Sequence, residues 1–190
     1  YVPYGCLTVV LQANVYCETS SWFVHHSPMP LRGALDSMYA SFVGAMVDIN
    51  LRAPFILSCA AIPYLKKSVS GAIVMVGSLA GMAPLQGAAT YSGTKSGLRA
   101  FTYAISDELR DTGIHVGLVS PGPIDTGFIM TEIDKVEDIV FSQPMSNTKE
   151  VADAIVRIAT GHDVESTMPA RRGQLVTLGS FIPSRRRLMR

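Results

Sequence analysis

Short apolar runs rich in β-branched residues alternate along this chain with longer stretches of helical spacing. Leu7–Gln12 (LTVVLQ), Ala72–Val76 (AIVMV), His115–Ser120 (HVGLVS) and Gln174–Leu178 (QLVTL) are almost continuously apolar. That is the pattern of strands covered on both faces. Between them, Asp36–Lys67 predicts one long helix or two, with Pro54 and Pro63 as starts or kinks. Thr90–Thr112 places Leu98, Phe101, Ile105 and Leu109 on one helical face, with Gly113 suited to the C′ position. Asn147–Glu150 (NTKE) reads as a capping box opening a helix whose core face holds Val151, Ile155 and Ile158. The order predicts a single α/β domain: a doubly wound parallel sheet with helices on both faces. Residues 18–33, polar and carrying Pro28 and Pro30, read as a loop or insertion; 78–90 read as a loop, and 124–146 as irregular or weakly helical.

Composition supports a large core. The 190 residues are 48% hydrophobic and only 16% charged, against about 25% charge in an ordinary soluble domain. This excludes a disordered chain. Cys6, Cys17 and Cys59 are too few, and odd in number, for a disulfide-stapled scaffold. A net charge of +1 gives no reason to expect nucleic acid or an anionic membrane as the main partner. The charge is uneven, however: residues 171–190 carry six arginines and no acid, and residues 180–190 read as a basic tail. The apolar segments Cys6–Val15 and Ala53–Leu65 fall short of the ~20 residues of a membrane span. The first residues lack the basic region of a signal peptide. Cytoplasm is the expected compartment. Because residue 1 is Tyr and the chain stops within a basic run, it is expected to be part of something longer.

The chemistry centres on Tyr91-Ser92-Gly93-Thr94-Lys95. Tyr and Lys four apart at a helix start share one face. A phenol ionises near pH 10, and a neighbouring ammonium favours its phenolate. The pair therefore suits general acid–base chemistry, although the same spacing also describes a packed tyrosine beside a surface lysine. Ser78 directly follows the Ala72–Val76 strand. Pro121-Gly122-Pro123-Ile124-Asp125-Thr126 follows His115–Ser120. Both lie at strand carboxyl ends, where open α/β sheets bind ligands. Asn50 sits inside a predicted helix, where asparagine is mildly unfavourable and so invites a role.

Ser78, Tyr91-Ser-Gly-Thr-Lys95, Pro121-Gly-Pro-Ile-Asp-Thr126 and Asn50 within Val-Asp-Ile-Asn-Leu, in this order, resemble the classical short-chain dehydrogenase/reductase family. The similarity runs from about Asp36 to Leu178. It implies a Rossmann-like fold and NAD- or NADP-dependent interconversion of an alcohol and a ketone or aldehyde. By the same resemblance, Tyr91 is the acid/base. Lys95 assists it and holds the nicotinamide ribose. Ser78 hydrogen-bonds the substrate oxygen, and Asn50 supports a proton-relay water. Pro121, Gly122, Ile124 and Thr126 pack on the nicotinamide. The resemblance also implies a homodimer or homotetramer formed through the helices Asp36–Lys67 and Thr90–Thr112.

This sequence departs from the family in two places. The family's Asn-Asn-Ala-Gly segment after its fourth strand is best matched by Leu11-Gln12-Ala13-Asn14, which makes Asn14 a cofactor contact and Leu7–Gln12 the fourth strand. The first three strands and the Gly-rich phosphate loop would then be absent, leaving the adenosine half of the cofactor without a site. A non-catalytic remnant or binding protein of the same fold is the alternative reading. A serine hydrolase is a weaker rival: Ser92-x-x-Lys95 lacks its accompanying motifs, and Ser78 lacks the Gly-x-Ser-x-Gly elbow. His25-His26 has no ligand partners at metal spacing, so no metal is expected. The apolar residues Phe128, Ile129, Met130, Ile133, Ile139, Val140 and Phe141 favour a lipophilic small-molecule substrate.

Overall fold

Every residue from Ala72 to Val76 is buried. The run forms the middle strand of a sheet in the computed structural model, which describes residues 7–15, 18–26, 33–124 and 145–170. Among the described residues five strands are present, β1 (Leu7–Val15), β2 (Glu18–His26), β3 (Ser70–Val76), β4 (Ile114–Pro121) and β5 (Glu165–Met168). They lie side by side in chain order. The pairs from β2 to β5 are all parallel, whereas β1 runs antiparallel to β2 in a hairpin. Among the described residues the helices are α1 (Ala40–Val47), α2 (Ala53–Leu65), α3 (Ala89–Glu108) and α4 (Thr148–Ala159).

Side-chain alternation divides the core into two layers. Phe23, Ile73, Met75, Val116 and Leu118 meet Leu98 and Ile105 of α3, with Phe55 and Ile62 of α2 packed against them. Ala72, Val74 and Val119 meet Val151, Ala154 and Ile158 of α4 on the other face. Burying each of the larger side chains contributes about 1.5–3 kcal/mol. The doubly wound α/β arrangement is therefore present, with the antiparallel β1 as its exception.

The structure corrects the loop expected over residues 18–33. Glu18–His26 is a strand between β1 and β3. Phe23 faces the α3 layer while Trp22 and Val24 face the α4 layer. Polar residues at its start and prolines just after it masked a short strand whose backbone pairs on both sides. It follows that β2, not Leu7–Gln12, is the parallel neighbour of β3. β5 was not foreseen, while Gln174–Leu178, the basic run 171–190 and residues 125–144 lie outside the described residues.

The long helix is continuous from Ala40 to Leu65, with a π turn over Asp48–Arg52 joining α1 to α2. The Ala53 N–H bonds the Asp48 carbonyl five residues back. Pro54, with no N–H, cannot donate to the Asn50 carbonyl four residues back. The joined helix is long and apolar enough to cross a membrane by length and composition alone, unlike the shorter segments judged from sequence. It nonetheless packs Met46, Asn50, Ser58 and Leu65 inward.

α3 starts within a residue of expectation but ends at Glu108. Gly113 lies beyond the helix cap and, with φ 76°, makes the left-handed turn into β4. The Asn147 capping box is formed. The side chain accepts from Glu150 N–H at 2.8 Å, and the Glu150 carboxylate accepts from Asn147 N–H at 3.0 Å.

Candidate active site

The parallel strands end together, and their carboxyl ends carry the candidate residues. Beyond β3 the chain passes through Gly77 to Ser78, whose hydroxyl accepts the Ala80 N–H at 3.2 Å and caps a 3-10 turn over Leu79–Gly81. This turn is clamped to α3. The Ser96 hydroxyl donates to the Gly81 carbonyl at 2.7 Å. A Cβ on Gly81 would lie 2.8 Å from the Lys95 carbonyl carbon and oxygen, so only glycine permits the approach. The Leu85 N–H donates to Ser92 Oγ at 3.1 Å, tying the following loop to the first turn of α3. Ser78 is thus held on the turn that touches the helix of Tyr91 and Lys95.

Lys95 is 2% exposed. A buried ammonium is costly unless hydrogen-bonded, and its Nζ donates to the Val76 carbonyl at 3.0 Å, at the end of β3. The same nitrogen lies 5.7 Å from the Tyr91 ring centroid. Tyr91 is half-buried. The i,i+4 spacing therefore does put phenol and ammonium together, at the carboxyl end of the sheet.

Asn50 is fully buried on the π turn, a helical irregularity that recurs at functional sites. Its Nδ2 donates to Thr94 Oγ1 at 3.4 Å, and Thr94 Oγ1 donates to the Tyr91 carbonyl at 2.8 Å. Asn50 thereby reaches the Tyr91–Lys95 turn through Thr94, a residue the sequence reading had not singled out.

β4 ends at Pro121, beside the end of β3. The Gly122 N–H donates to the Met168 carbonyl of β5 at 2.8 Å, and Ile124 bridges to Ser146. Pro121, Gly122 and Ile124 thus sit at the same sheet end as Ser78. Thr126 lies outside the described residues.

Asn14 does not join this group. It pairs with Thr19 near the closed end of the hairpin, whereas the carboxyl end of β2 pairs His26 with Leu7 and with Val76. At ~3.3 Å per residue, Asn14 lies about 23 Å along the strand from the site edge. The residues at the strand end beside Val76 are His25 and His26, and His25 is fully buried. Only the β2–β3 register, which sequence spacing did not reveal, could have found them. Among the described residues no group of three His, Cys, Asp or Glu side chains comes together in a way that could hold a metal ion.

The chemistry of the donor set, a phenol and a buried ammonium beside a strand end, fits the sugar-hydroxyl end of a nicotinamide nucleotide. No Gly-rich phosphate loop occurs among the 190 residues.

Comparison with known proteins shows what the chain is similar to. The family model described as short chain dehydrogenase matches residues 32–137, more than half the chain and the span that holds Asn50, Ser78, Tyr91, Lys95 and Pro121–Thr126. A 3-oxoacyl-(acyl-carrier-protein) reductase of Synechocystis sp. is 36% identical over 119 residues, covering 61% of this chain and 47% of the reductase. The human dehydrogenase/reductase SDR family member 4 is 27% identical over 161 residues, covering 82% of this chain and 56% of that protein. Among solved structures, ElxO with NADP bound superposes with a TM-score of 0.68 at 26% identity, over 77% of this chain and 64% of that one. The chain spans about half the length of the curated relatives it matches.

Proposed function

Because this chain belongs to the short-chain dehydrogenase family, we propose that it holds the reacting centre of an NAD- or NADP-dependent oxidoreductase interconverting an alcohol and a ketone or aldehyde. The observation that carries the reading is the buried Lys95 ammonium, held by the Val76 carbonyl 5.7 Å from the Tyr91 ring.

A bound nicotinamide supplies or accepts the hydride. In the reducing direction the Tyr91 hydroxyl donates a proton to the carbonyl oxygen, and the Ser78 hydroxyl hydrogen-bonds that oxygen as its negative charge grows. Lys95 lowers the cost of leaving Tyr91 as phenolate and donates toward the ribose hydroxyls. Asn50 orders the far side of this turn through Thr94 and supports a proton's return, by way of Lys95, to the Tyr91 phenolate. Pro121, Gly122 and Ile124, at the end of β4, would hold the nicotinamide, and the family resemblance gives Thr126 the same role.

The substrate in this reading is a small lipophilic alcohol or carbonyl compound, read from the apolar side chains in the sequence of residues 127–146. A homodimer or homotetramer is read from Phe42 (45% exposed), Ile56 (53%) and Tyr64 (73%), apolar side chains that the described fold leaves in solvent along the α1–α2 helix. The exposed free thiol of Cys59 suits a reducing compartment such as cytoplasm.

The alternative reading is a binding protein that retains the fold without turnover. Titration of the whole protein with NADH and NADPH, followed by nucleotide fluorescence, separates the two. Saturable binding to one of them, with turnover that falls about 10²–10⁴-fold in Tyr91→Phe while binding stays within about twofold, is the expected result. Absence of binding to either nucleotide would favour the second reading.

A further inference from the structure

One carboxylate on the α3 face of the sheet makes four hydrogen bonds that the reaction above does not use. Glu165 Oε1 accepts from Arg99 Nε at 3.0 Å and from Ser120 Oγ at 3.0 Å. Glu165 Oε2 accepts from Arg99 Nη2 at 2.8 Å and from the Tyr103 hydroxyl at 2.5 Å. The Arg99 guanidinium also lies 4.8 Å from the Tyr103 ring centroid. Burial alone would push the Glu165 carboxyl up. Hydrogen bonds from Arg99, Tyr103 and Ser120, with the Arg99 charge, hold it below its ordinary value instead. The bidentate guanidinium–carboxylate pair fixes direction as well as distance.

The partners come from three elements that meet at the candidate site. Arg99 lies one helical turn beyond Lys95, about 6 Å along the axis. α3 is thereby fastened at two successive turns, by Lys95 to the end of β3 and by Arg99 to β5. Ser120 immediately precedes Pro121. β5 has four residues, none of them fully buried, and of these Met168 packs against the core, so apolar packing holds its end but not its Glu165 start. β5 ends at Met168, whose carbonyl accepts the Gly122 N–H. The first residue of β5 carries the carboxylate, and its last residue holds the segment after β4.

We propose that Glu165 is a positioning residue: through Arg99, Tyr103 and Ser120 it docks β5, and through β5 it sets the Pro121–Gly122 segment against the Tyr91–Lys95 face of α3. The segment positioned is the nicotinamide wall of the proposed function, and to that extent the proposal rests on that reading. The docking itself can be tested without it.

The test is amide hydrogen exchange in the whole protein, comparing wild type with Glu165→Gln, which keeps shape but removes charge. The Gly122 and Leu118 amides, whose acceptors lie at Met168 and Val164, are expected to exchange at least about tenfold faster, the factor for one charge-assisted hydrogen bond lost. The Val74 amide in the middle of the sheet should keep its wild-type rate. Wild-type exchange at Gly122 in folded Glu165→Gln would overturn the proposal, and so would equal acceleration at Gly122 and Val74. If Glu165→Gln does not fold, Arg99→Lys is read on the same amides. It keeps the charge but loses the two-pronged geometry, and unchanged exchange at Gly122 would again overturn the proposal.

A second readout addresses what is positioned. In Glu165→Gln the KM for the nicotinamide nucleotide should rise more than kcat falls, and Glu165→Asp should restore part of it. A fall in kcat alone contradicts positioning of the nicotinamide wall. A wild-type protein that binds no nucleotide defeats the proposed function, and the exchange result then decides the docking alone.

Discussion

α3 carries two tyrosine–cation pairs on one face, Tyr91 with Lys95 and Tyr103 with Arg99, and they differ in what the cation rests on. Lys95 donates to a neutral carbonyl at the end of β3 and is almost wholly buried. Arg99 grips a carboxylate, and the Tyr103 hydroxyl donates to that same carboxylate. Burial and Glu165 together push Tyr103 up to about 12, fixing its proton in a structural bond. A tyrosine and a cation four residues apart thus make a saturated clamp in one place. In the other they make a phenol–ammonium pair at the strand ends, the pair proposed to do the chemistry. A tyrosine four residues from a cation is therefore not informative by itself; the third partner decides what the pair does.

Changes at the two pairs should have opposite signatures. The largest effect is expected from Lys95→Met, which removes the buried charge at similar volume. Turnover should fall about 10²-fold or more, while thermal stability holds or rises, because replacing a buried charge by an apolar side chain is often neutral or stabilising. Steady-state kinetics and a melting curve on one preparation check both halves. A large loss of stability in that variant would make Lys95 another structural clamp and erase the contrast.

Glu165→Ala should do the reverse. Leaving Arg99 and Ser120 without their acceptor is expected to cost about 2 kcal/mol of unfolding free energy, measured by urea denaturation, with a smaller loss of turnover than Lys95→Met. The smallest effect is expected from Tyr103→Phe, about 1 kcal/mol for one hydrogen bond.

The clamp also predicts how stability depends on pH. Glu165 has its folded value below the ordinary 4.5. Its contribution is therefore full above the unfolded value and fades as pH falls through the folded one. Tyr103 is raised from 10.0 to about 12. Its contribution is full below pH 10 and fades as pH rises toward 12. Tyr103→Phe should remove the alkaline loss and leave the acid one. An alkaline limb unchanged in that variant would assign it to another group.

The two pairs were unequally visible in the sequence. Tyr91, Lys95 and Asn50 were legible because helical spacing is local and because Ser78 and Pro121 follow strands that are themselves continuous apolar runs. β3, β4 and the α4 capping box were legible for the same reason. Glu165 lies far along the chain from Arg99, and only the β4–β5 register brings them together. β5 is short and polar and gives no periodic signal. β2 was missed because its central place depends on backbone pairing with β1 and β3 rather than on its own hydrophobicity. That error displaced the assigned strand end to Asn14, at the wrong end of the sheet.

The assignment of Tyr91, and not Tyr103, as the reacting phenol is the step on which the proposed function stands. It is tested most directly by measuring hydride-transfer turnover of Tyr91→Phe and Tyr103→Phe side by side in the whole protein, with saturating nicotinamide nucleotide. The expected result is a loss of about 10²–10⁴-fold in the first and activity within a fewfold of wild type in the second. Near-wild-type turnover in Tyr91→Phe, or equal losses in both, would contradict it.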